Sequence, residues 1–182
     1  MTFLQQAGYL DDDLTFNAGA RVLRHLQISE IFVTELVLDG VLEELDGPVL
    51  FGVLAGITNS LPRHARPRFR PSSEARSLAR SIGRLRNGWT VTEGGSLSGL
   101  EVDWDPDVMY LGRLWAEGDS LAEIVAQIDC DTDISGDLIT GFRRAKDLAG
   151  QLLDVYGDVE ERRTLLRQLV RLVSRDEVEV VG

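Results

Sequence analysis

The sequence GDLITGFRRAKDLAGQLLD, at residues 136–154, carries the clearest structural signal in the chain. Its apolar residues follow one another at steps of three or four, and they include Leu138, Phe142, Ala145, Ala149 and Leu152. Since an α-helix turns once every 3.6 residues, these side chains lie on one face of a predicted helix. A helix with a single apolar face buries that face against neighbouring elements. We therefore predict that residues 136–154 form one helix of a larger bundle.

Helices are also predicted on both sides of this stretch. Apolar residues at helical spacing precede Gly118, a residue type that commonly ends helices. Ser120 and Glu123 then form a capping box, in which each side chain binds a free backbone N–H at the start of a helix. A last helix is predicted to begin near Asp158 and to bury an apolar face that consists of Leu165, Leu169, Leu172 and Val173.

Helical periodicity runs through most of the amino-terminal half as well. It begins at Ala18, and Pro48 is well placed in the first turn of a further helix. Another helix is predicted from about Ser73. Prolines in residues 61–73, and a high content of glycine, serine and threonine in residues 87–103, predict two irregular loops.

Residues 9–17 differ from the rest of the chain, because they alternate around the acidic turn Asp11-Asp12-Asp13. This alternation predicts a short β-hairpin. The fold class predicted from all these patterns is all-α. We expect a single domain over residues 1–182, a bundle of about six to eight helices with a small N-terminal β-hairpin.

Composition is typical of a globular protein of the cytoplasm. Hydrophobic residues make up 43% of the 182 residues and charged residues 27%, which is ordinary for a domain with its own core. The single cysteine, Cys130, excludes a disulfide framework. No apolar run approaches the ~20 residues of a membrane-spanning helix, so we predict no contact with a membrane.

Charge is distributed unevenly along the chain. The net charge is -11, yet residues 63–86 hold eight arginines and only one acid. Three of these arginines, Arg76, Arg80 and Arg84, fall on one face of the helix predicted from Ser73. Because phosphate contacts dominate non-specific affinity for nucleic acid, this segment is predicted to supply most of any affinity for a single strand.

The sequence holds no catalytic or metal-binding motif of its own. A phosphate-binding P-loop needs Gly-Lys followed by Ser or Thr, and the only lysine, Lys146, is in no such context. Asp129, Asp131 and Asp133 imitate the beginning of a calcium-binding loop, but Ile134 occupies the position of its turn glycine. We therefore predict no cofactor, no metal and no enzymatic activity for this chain alone.

Four short sequences, in order along the chain, are similar to one known family. They are LTFNAGAR at residues 14–21, TELVLDG at 34–40, LWAEG with LAEI at 114–124, and GDLI with FRR at 136–144. Together they resemble the DSHCT domain, the C-terminal helical domain of Ski-type DExH-box RNA helicases of superfamily 2. The resemblance covers nearly the whole chain, and it is strongest after Val108.

This resemblance implies a place within a larger helicase. In the family a hairpin closes a preceding winged-helix domain, so residues 1–17 would be the remnant of that domain. The helical domain lies against two motor lobes, which bind ATP and Mg²⁺. One long helix, called the ratchet, faces the single strand of RNA that leaves the motor. By its position, this helix corresponds to Gly136 to Asp154.

The polar side of the ratchet-like helix contains the predicted nucleic-acid-binding residues. A stripe opposite the apolar face consists of Thr140, Arg144, Asp147 and Gln151, with Arg143 beside it. Arg144 and Asp147 match the basic and acidic residues with which the family contacts bases, whereas Thr140 stands where the family often has arginine. The alternative is a solvated helix face with an ion pair between Arg143 and Asp147.

Two functions follow as expectations from the sequence. The first is a nucleic-acid-guiding accessory domain of an ATP-dependent RNA helicase, whose partners are single-stranded RNA or DNA and the motor lobes. The alternative is an acidic helical protein-interaction module that binds no nucleic acid. The two differ in whether the arginine-rich residues 63–86 point toward the ratchet-like helix or away from it.

Overall fold

Eight helices and one two-stranded sheet make up the part of the protein that this computed structural model describes, namely residues 9, 17–92, 104–175 and 178. The helices are α1 (Ala18–Leu23), α2 (Glu30–Leu38), α3 (Gly47–Thr58), α4 (Ser73–Thr92), α5 (Pro106–Glu117), α6 (Leu121–Val125), α7 (Ser135–Val155) and α8 (Glu160–Val173). The strands are β1 (Arg66–Pro67) and β2 (Ile128–Asp129). The predicted helical bundle is thus confirmed.

Helix α3 lies at the centre of the bundle. Asp46 caps its start by accepting a hydrogen bond from the Val49 N–H at 2.9 Å, and the first turn contains Pro48. Every residue from Leu50 to Thr58 is buried. Because a helix that is apolar on all sides needs neighbours all around it, α3 becomes the element against which α5, α7 and α8 pack.

Helices α3 and α5 cross very closely, since both have glycine at the crossing. A Cβ atom added to Gly112 of α5 would lie 2.5 Å from the Ala55 Cβ atom and 3.2 Å from the Gly52 Cα atom. One turn further along α3, a Cβ atom added to Gly56 would lie 2.7 Å from the Asp105 carbonyl oxygen. These distances leave no room for side chains, so the glycines determine how near the two helices approach.

Helix α7 covers another side of α3, and aromatic rings fill the contact. The Phe142 side chain is fully buried, with its ring centroid 6.1 Å from that of Phe51 and 5.3 Å from that of Trp115. The Thr58 hydroxyl, at the end of α3, donates a hydrogen bond to the Gly141 carbonyl oxygen at 3.2 Å. This pair of contacts fixes α7 along α3.

Helix α8 packs on α7 with a face that differs from the predicted one. Leu166, Leu169 and Val173 are its buried residues, whereas Leu165 is only partly buried. Leu172, which was predicted to be buried, is 52% exposed, so that prediction was wrong. The apolar side of α8 is wider than its contact with the core, and Leu172 falls on the side turned away.

The small sheet lies elsewhere than the predicted hairpin. Strand β1 pairs antiparallel with β2, so that Arg66 is opposite Asp129 and Pro67 is opposite Ile128. Most of the predicted hairpin at residues 9–17 lies outside the described residues. Of the two predicted loops, residues 61–73 contain β1, and residues 87–92 belong to α4 instead. The second loop prediction was therefore wrong over residues 87–92, because a helix already anchored on the core adds further turns at little cost.

Two kinds of feature are missing from the described ranges. Within residues 17–92 and 104–175, no helix is long and apolar enough to cross a membrane. Nor do His, Cys, Asp and Glu side chains gather there in groups of three or more that could hold a metal ion. Asp133 instead accepts a hydrogen bond from the Ser135 N–H at 2.9 Å, one residue before the N-cap Ile134 of α7.

Candidate nucleic-acid interface

Helix α7 presents one apolar and one polar face, and the packing of the bundle decides which of them meets solvent. Its buried residues are Leu138, Gly141, Phe142, Ala145, Leu148, Ala149 and Leu152. At 100° per residue, Thr140, Arg144 and Asp147 lie on the opposite side. All three are exposed in the structure. These three residues of the predicted polar stripe therefore lie on the surface of the bundle.

Arg144 and Asp147 are the two charged residues of the stripe that remain available to a partner. Neither side chain forms a hydrogen bond or an ion pair with any other residue that the structure describes. The alternative pairing of Arg143 with Asp147 is consequently not formed. Thr140 is exposed, but its hydroxyl donates to the Gly136 carbonyl oxygen at 2.8 Å and so faces its own helix.

The remaining two residues predicted for the stripe have partners inside the protein. The Gln151 side-chain oxygen accepts a hydrogen bond from the Gln27 N–H at 2.7 Å, which ties α7 to the connection between α1 and α2. Arg143 is half-buried, and its Nε–H donates to the Val178 carbonyl oxygen at 3.2 Å. Both side chains thus hold distant segments against α7, in addition to any role toward a ligand.

The start of α7 is also negatively charged. Hydrogen bonds from the Ser135 hydroxyl and then from its backbone N–H hold the pKa of the Asp133 carboxyl below its usual value. Because these bonds favour the charged form, Asp133 keeps its negative charge at neutral pH. A nucleic-acid strand on α7 would therefore meet an acidic residue at this end, and it would need cations nearby to compensate.

Helix α4 exposes its three predicted arginines in one row. Arg76, Arg80 and Arg84 are exposed, while Ala75 and Ile82 face the core. The Arg80 Nε–H donates to the Arg76 carbonyl oxygen at 3.2 Å, and the Arg84 Nε–H donates to the Arg80 carbonyl oxygen at 3.4 Å. Helix α4 packs on α2 and α5, whereas α7 packs on α3 and α8. The row and the α7 stripe thus belong to helices with different neighbours.

The arginine-rich residues 63–86 contain a second group of exposed arginines, whose arrangement was not predicted from the sequence. In residues 65–71, ARPRFRP, burial alternates, and Arg66, Arg68 and Arg70 are exposed while the residues between them face the protein. The alternation of arginine with apolar residues was the signal of a strand. It went unnoticed because three prolines between residues 62 and 71 indicated a loop.

Comparison with known proteins gave one family. The sequence model described as the DSHCT (NUC185) domain matches residues 13–180. No curated protein matches the chain significantly.

Proposed function

The chain belongs to the DSHCT family, the C-terminal domain of Ski-type helicases, and from this premise we propose that it guides a single strand of nucleic acid leaving a helicase motor. The observation that carries the proposal is the exposed pair Arg144 and Asp147 on α7, which has no partner among the described residues. The motor lobes would bind ATP and Mg²⁺, and this domain would contact the strand.

The chemistry of the two side chains suits bases rather than phosphates alone. A guanidinium plane can stack on the face of a base, and a carboxylate accepts hydrogen bonds from base amino groups. With a rise of 1.5 Å per residue, Arg144 and Asp147 lie about 4.5 Å apart along the helix axis. This separation is similar to that of neighbouring bases, so each side chain can contact one of two adjacent nucleotides.

A second candidate function is a protein-interaction module. It is supported by the net charge of -11 and by three large apolar side chains that are about half exposed, namely Leu38, Val159 and Leu172. In a helicase these residues could equally contact the motor lobes. The two functions make different predictions for the effect of the α7 pair on strand affinity.

Replacing Arg144 and Asp147 together by alanine is expected to lower the affinity for a labelled single-stranded RNA by about 1–3 kcal/mol, or about 5- to 150-fold, because base contacts have this value. The net charge stays at -11, so non-specific attraction is unchanged. Both residues are exposed, and the free energy of unfolding should change by only about 0.5 kcal/mol. Fluorescence anisotropy measures the first quantity and urea unfolding the second.

The matched control is the double variant Arg171→Ala and Asp158→Ala. It removes the same two charges from exposed positions in or just before α8. Its strand affinity should equal that of the wild-type chain. In the complete helicase, the α7 variant should unwind duplexes more slowly while the basal ATPase rate is kept. Equal strand affinities of the α7 variant, the control and the wild type would favour the protein-interaction module.

The 182-residue chain on its own is expected to show no steady ATP turnover. The sequence contains no Gly-Lys-Ser or Gly-Lys-Thr, so a P-loop that would cradle the phosphates cannot form. A coupled phosphate-release assay on the purified chain measures this directly. Turnover that persists after further purification steps would mean that the chain has an ATP site of another kind.

A further inference from the structure

Residues 65–71, which we call the ribbon, contain strand β1 and have two unlike sides. Its inner side consists of Ala65, Pro67, Phe69 and Pro71, which are buried or half-buried, and its outer side consists of Arg66, Arg68 and Arg70. In an extended chain, alternate side chains point in the same direction and lie about 7 Å apart. We call the three outer residues the arginine ridge. The same spacing separates successive phosphates in an extended strand of nucleic acid.

The ribbon is held on the protein from Arg66 to Phe69. The β1–β2 pairing continues beyond Pro67, where the Arg68 N–H donates to the Gln127 carbonyl oxygen at 2.7 Å. The Phe69 ring stacks on the Tyr110 ring of α5, with centroids 4.3 Å apart and planes 23° apart. Because the backbone is held in this way, the arginine ridge keeps its spacing before any ligand binds.

Few hydrogen bonds or ion pairs within the described part of the protein would compete with an anion for the guanidinium groups of the ridge. The Arg66 guanidinium donates to the carbonyl oxygens of Arg63 and Ala65, which leaves its outer N–H groups free of those bonds. Arg68 pairs with Asp129 at 2.8 Å, but the two side chains are 60% and 66% exposed. An ion pair in water of this kind is weak, so a phosphate can replace the carboxylate.

Two short connections link the ribbon to the amino-terminal end of α7. Asn59 Nδ2 donates to the Asp137 carbonyl oxygen in the first turn of α7 at 3.1 Å, and the chain then runs six residues to Ala65. On the other side, β2 ends six residues before Ser135, where α7 begins. Since six residues span at most about 20 Å, one strand of nucleic acid can reach both the arginine ridge and the start of α7.

We propose that the arginine ridge is a phosphate-binding site for a single strand of nucleic acid, and that Asp129 occupies Arg68 when no strand is bound. The inference rests on the proposed function, and it assigns separate tasks. Arg144 and Asp147 contact bases, whereas the ridge binds the phosphates of the same strand beyond the amino-terminal end of α7. Guanidinium groups bind phosphate oxygens strongly, and a regular row of them suits a repeating anion.

The test replaces Arg66, Arg68 and Arg70 by glutamine and measures binding of fluorescein-labelled oligouridylate over a range of salt concentrations. Since each phosphate contact on a single strand contributes about 0.7 to the slope of log K against log salt, the slope should fall by about 2. Affinity at low salt should fall about tenfold or more. The double variant Arg68→Gln and Arg70→Gln, which leaves Arg66 and its carbonyl bonds in place, should show about two thirds of the change in slope.

Two further variants make the comparison specific. Replacing the exposed Arg21, Arg24 and Arg171 by glutamine changes the net charge equally and should leave the slope nearly unchanged. Asp129→Asn should strengthen binding about two- to fivefold, because Arg68 no longer has a competing carboxylate. If the ridge and control variants change the slope equally, or if Asp129→Asn does not raise the affinity, the ridge is not a phosphate-binding site.

Inorganic polyphosphate separates this inference from the proposed function, because it has phosphates and no bases. The ridge variants should lose binding to it, whereas the Arg144→Ala and Asp147→Ala double variant should not. One outcome is that polyphosphate binds through the ridge while the α7 double variant leaves the oligouridylate affinity unchanged. That result would support the phosphate-binding site and contradict the proposed contact of α7 with bases. If poly-glutamate competes as well as polyphosphate, the ridge binds an acidic protein, and the nucleic-acid assignment is overturned.

Discussion

Replacing Gly112 by valine is expected to destabilise the protein by about 3 kcal/mol or more, because over-packed sites in a rigid core cost this much. A Cβ atom at this position would already lie 2.5 Å from the Ala55 Cβ atom, and valine adds two methyl groups beyond it. Gly52 lies across the crossing, and its Cα atom would be 3.2 Å away. Helix α5 would therefore have to move away from α3, and the contacts along the whole crossing would loosen.

Thermal unfolding followed by circular dichroism measures this effect. For a protein of this size, the melting temperature should fall by about 6–12 °C. The matched control is Gly150→Ala in α7, where nothing lies within 4 Å of an added Cβ atom. Alanine there should stabilise the protein by about 0.4–1 kcal/mol, because it lowers the entropy of the unfolded chain. If the Gly112→Val protein melts at the same temperature as the wild type, the α3–α5 crossing accepts a side chain at little cost and close packing there is not required for stability.

The elements with local signals were predictable from sequence. The helix at residues 136–154 became α7, with bounds one residue wider at each end. The capping box of Ser120 and Glu123 is present, with the Glu123 N–H donating to the Ser120 hydroxyl and the Ser120 N–H donating to the Glu123 carboxylate. Each of these features depends on residues within a few positions of one another, and such short-range interactions can be read directly from the order of residues.

The helix crossing could not be predicted in this way. Gly52 and Gly112 lie sixty positions apart, and each looks like a weak point of an isolated helix. Only their packing against each other shows why a side chain cannot replace them. The exposure of Leu172 has a related cause, because periodicity identifies the apolar side of a helix but does not determine which part of that side the neighbouring helices cover.

The residues of the candidate site also differ in whether local sequence predicts their role. Helical geometry alone placed Arg144 and Asp147 opposite the apolar face of α7, and the structure exposes both. The partner of Gln151 is Gln27, which is 124 residues away, so its structural role had no local signal. The arginine ridge did have one, an alternation of period two. The prolines among these residues indicated a loop, so the alternation was not interpreted as a strand. Proline is nevertheless tolerated at the edge of a small sheet, where its missing N–H is not needed.

Arg175 holds the end of the chain's last described helix against α5, and its loss is expected to have the second large effect. Its guanidinium lies 3.4 Å from the centroid of the Trp115 ring. It also donates hydrogen bonds to the carbonyl oxygens of Trp115, Gly118 and Asp119 at 2.7, 3.1 and 2.9 Å. These carbonyls lie at the end of α5, where the helix itself supplies few donors. The Trp115 indole N–H donates in turn to the Val173 carbonyl oxygen at 3.2 Å.

Arg175→Ala is expected to lower the free energy of unfolding by about 2–4 kcal/mol, since a partly buried cation–π contact and charge-assisted hydrogen bonds are lost together. Arg175→Lys should recover part of the loss, because an ammonium group keeps the charge but cannot stack flat on the ring or bond several carbonyls in one plane. Arg171, one turn earlier and exposed, is the control, and its replacement by alanine should change stability by about 0.5 kcal/mol at most. Urea unfolding distinguishes the three variants. If lysine is as harmful as alanine, the charge contributes nothing, and the planar geometry of the guanidinium alone joins α8 to α5.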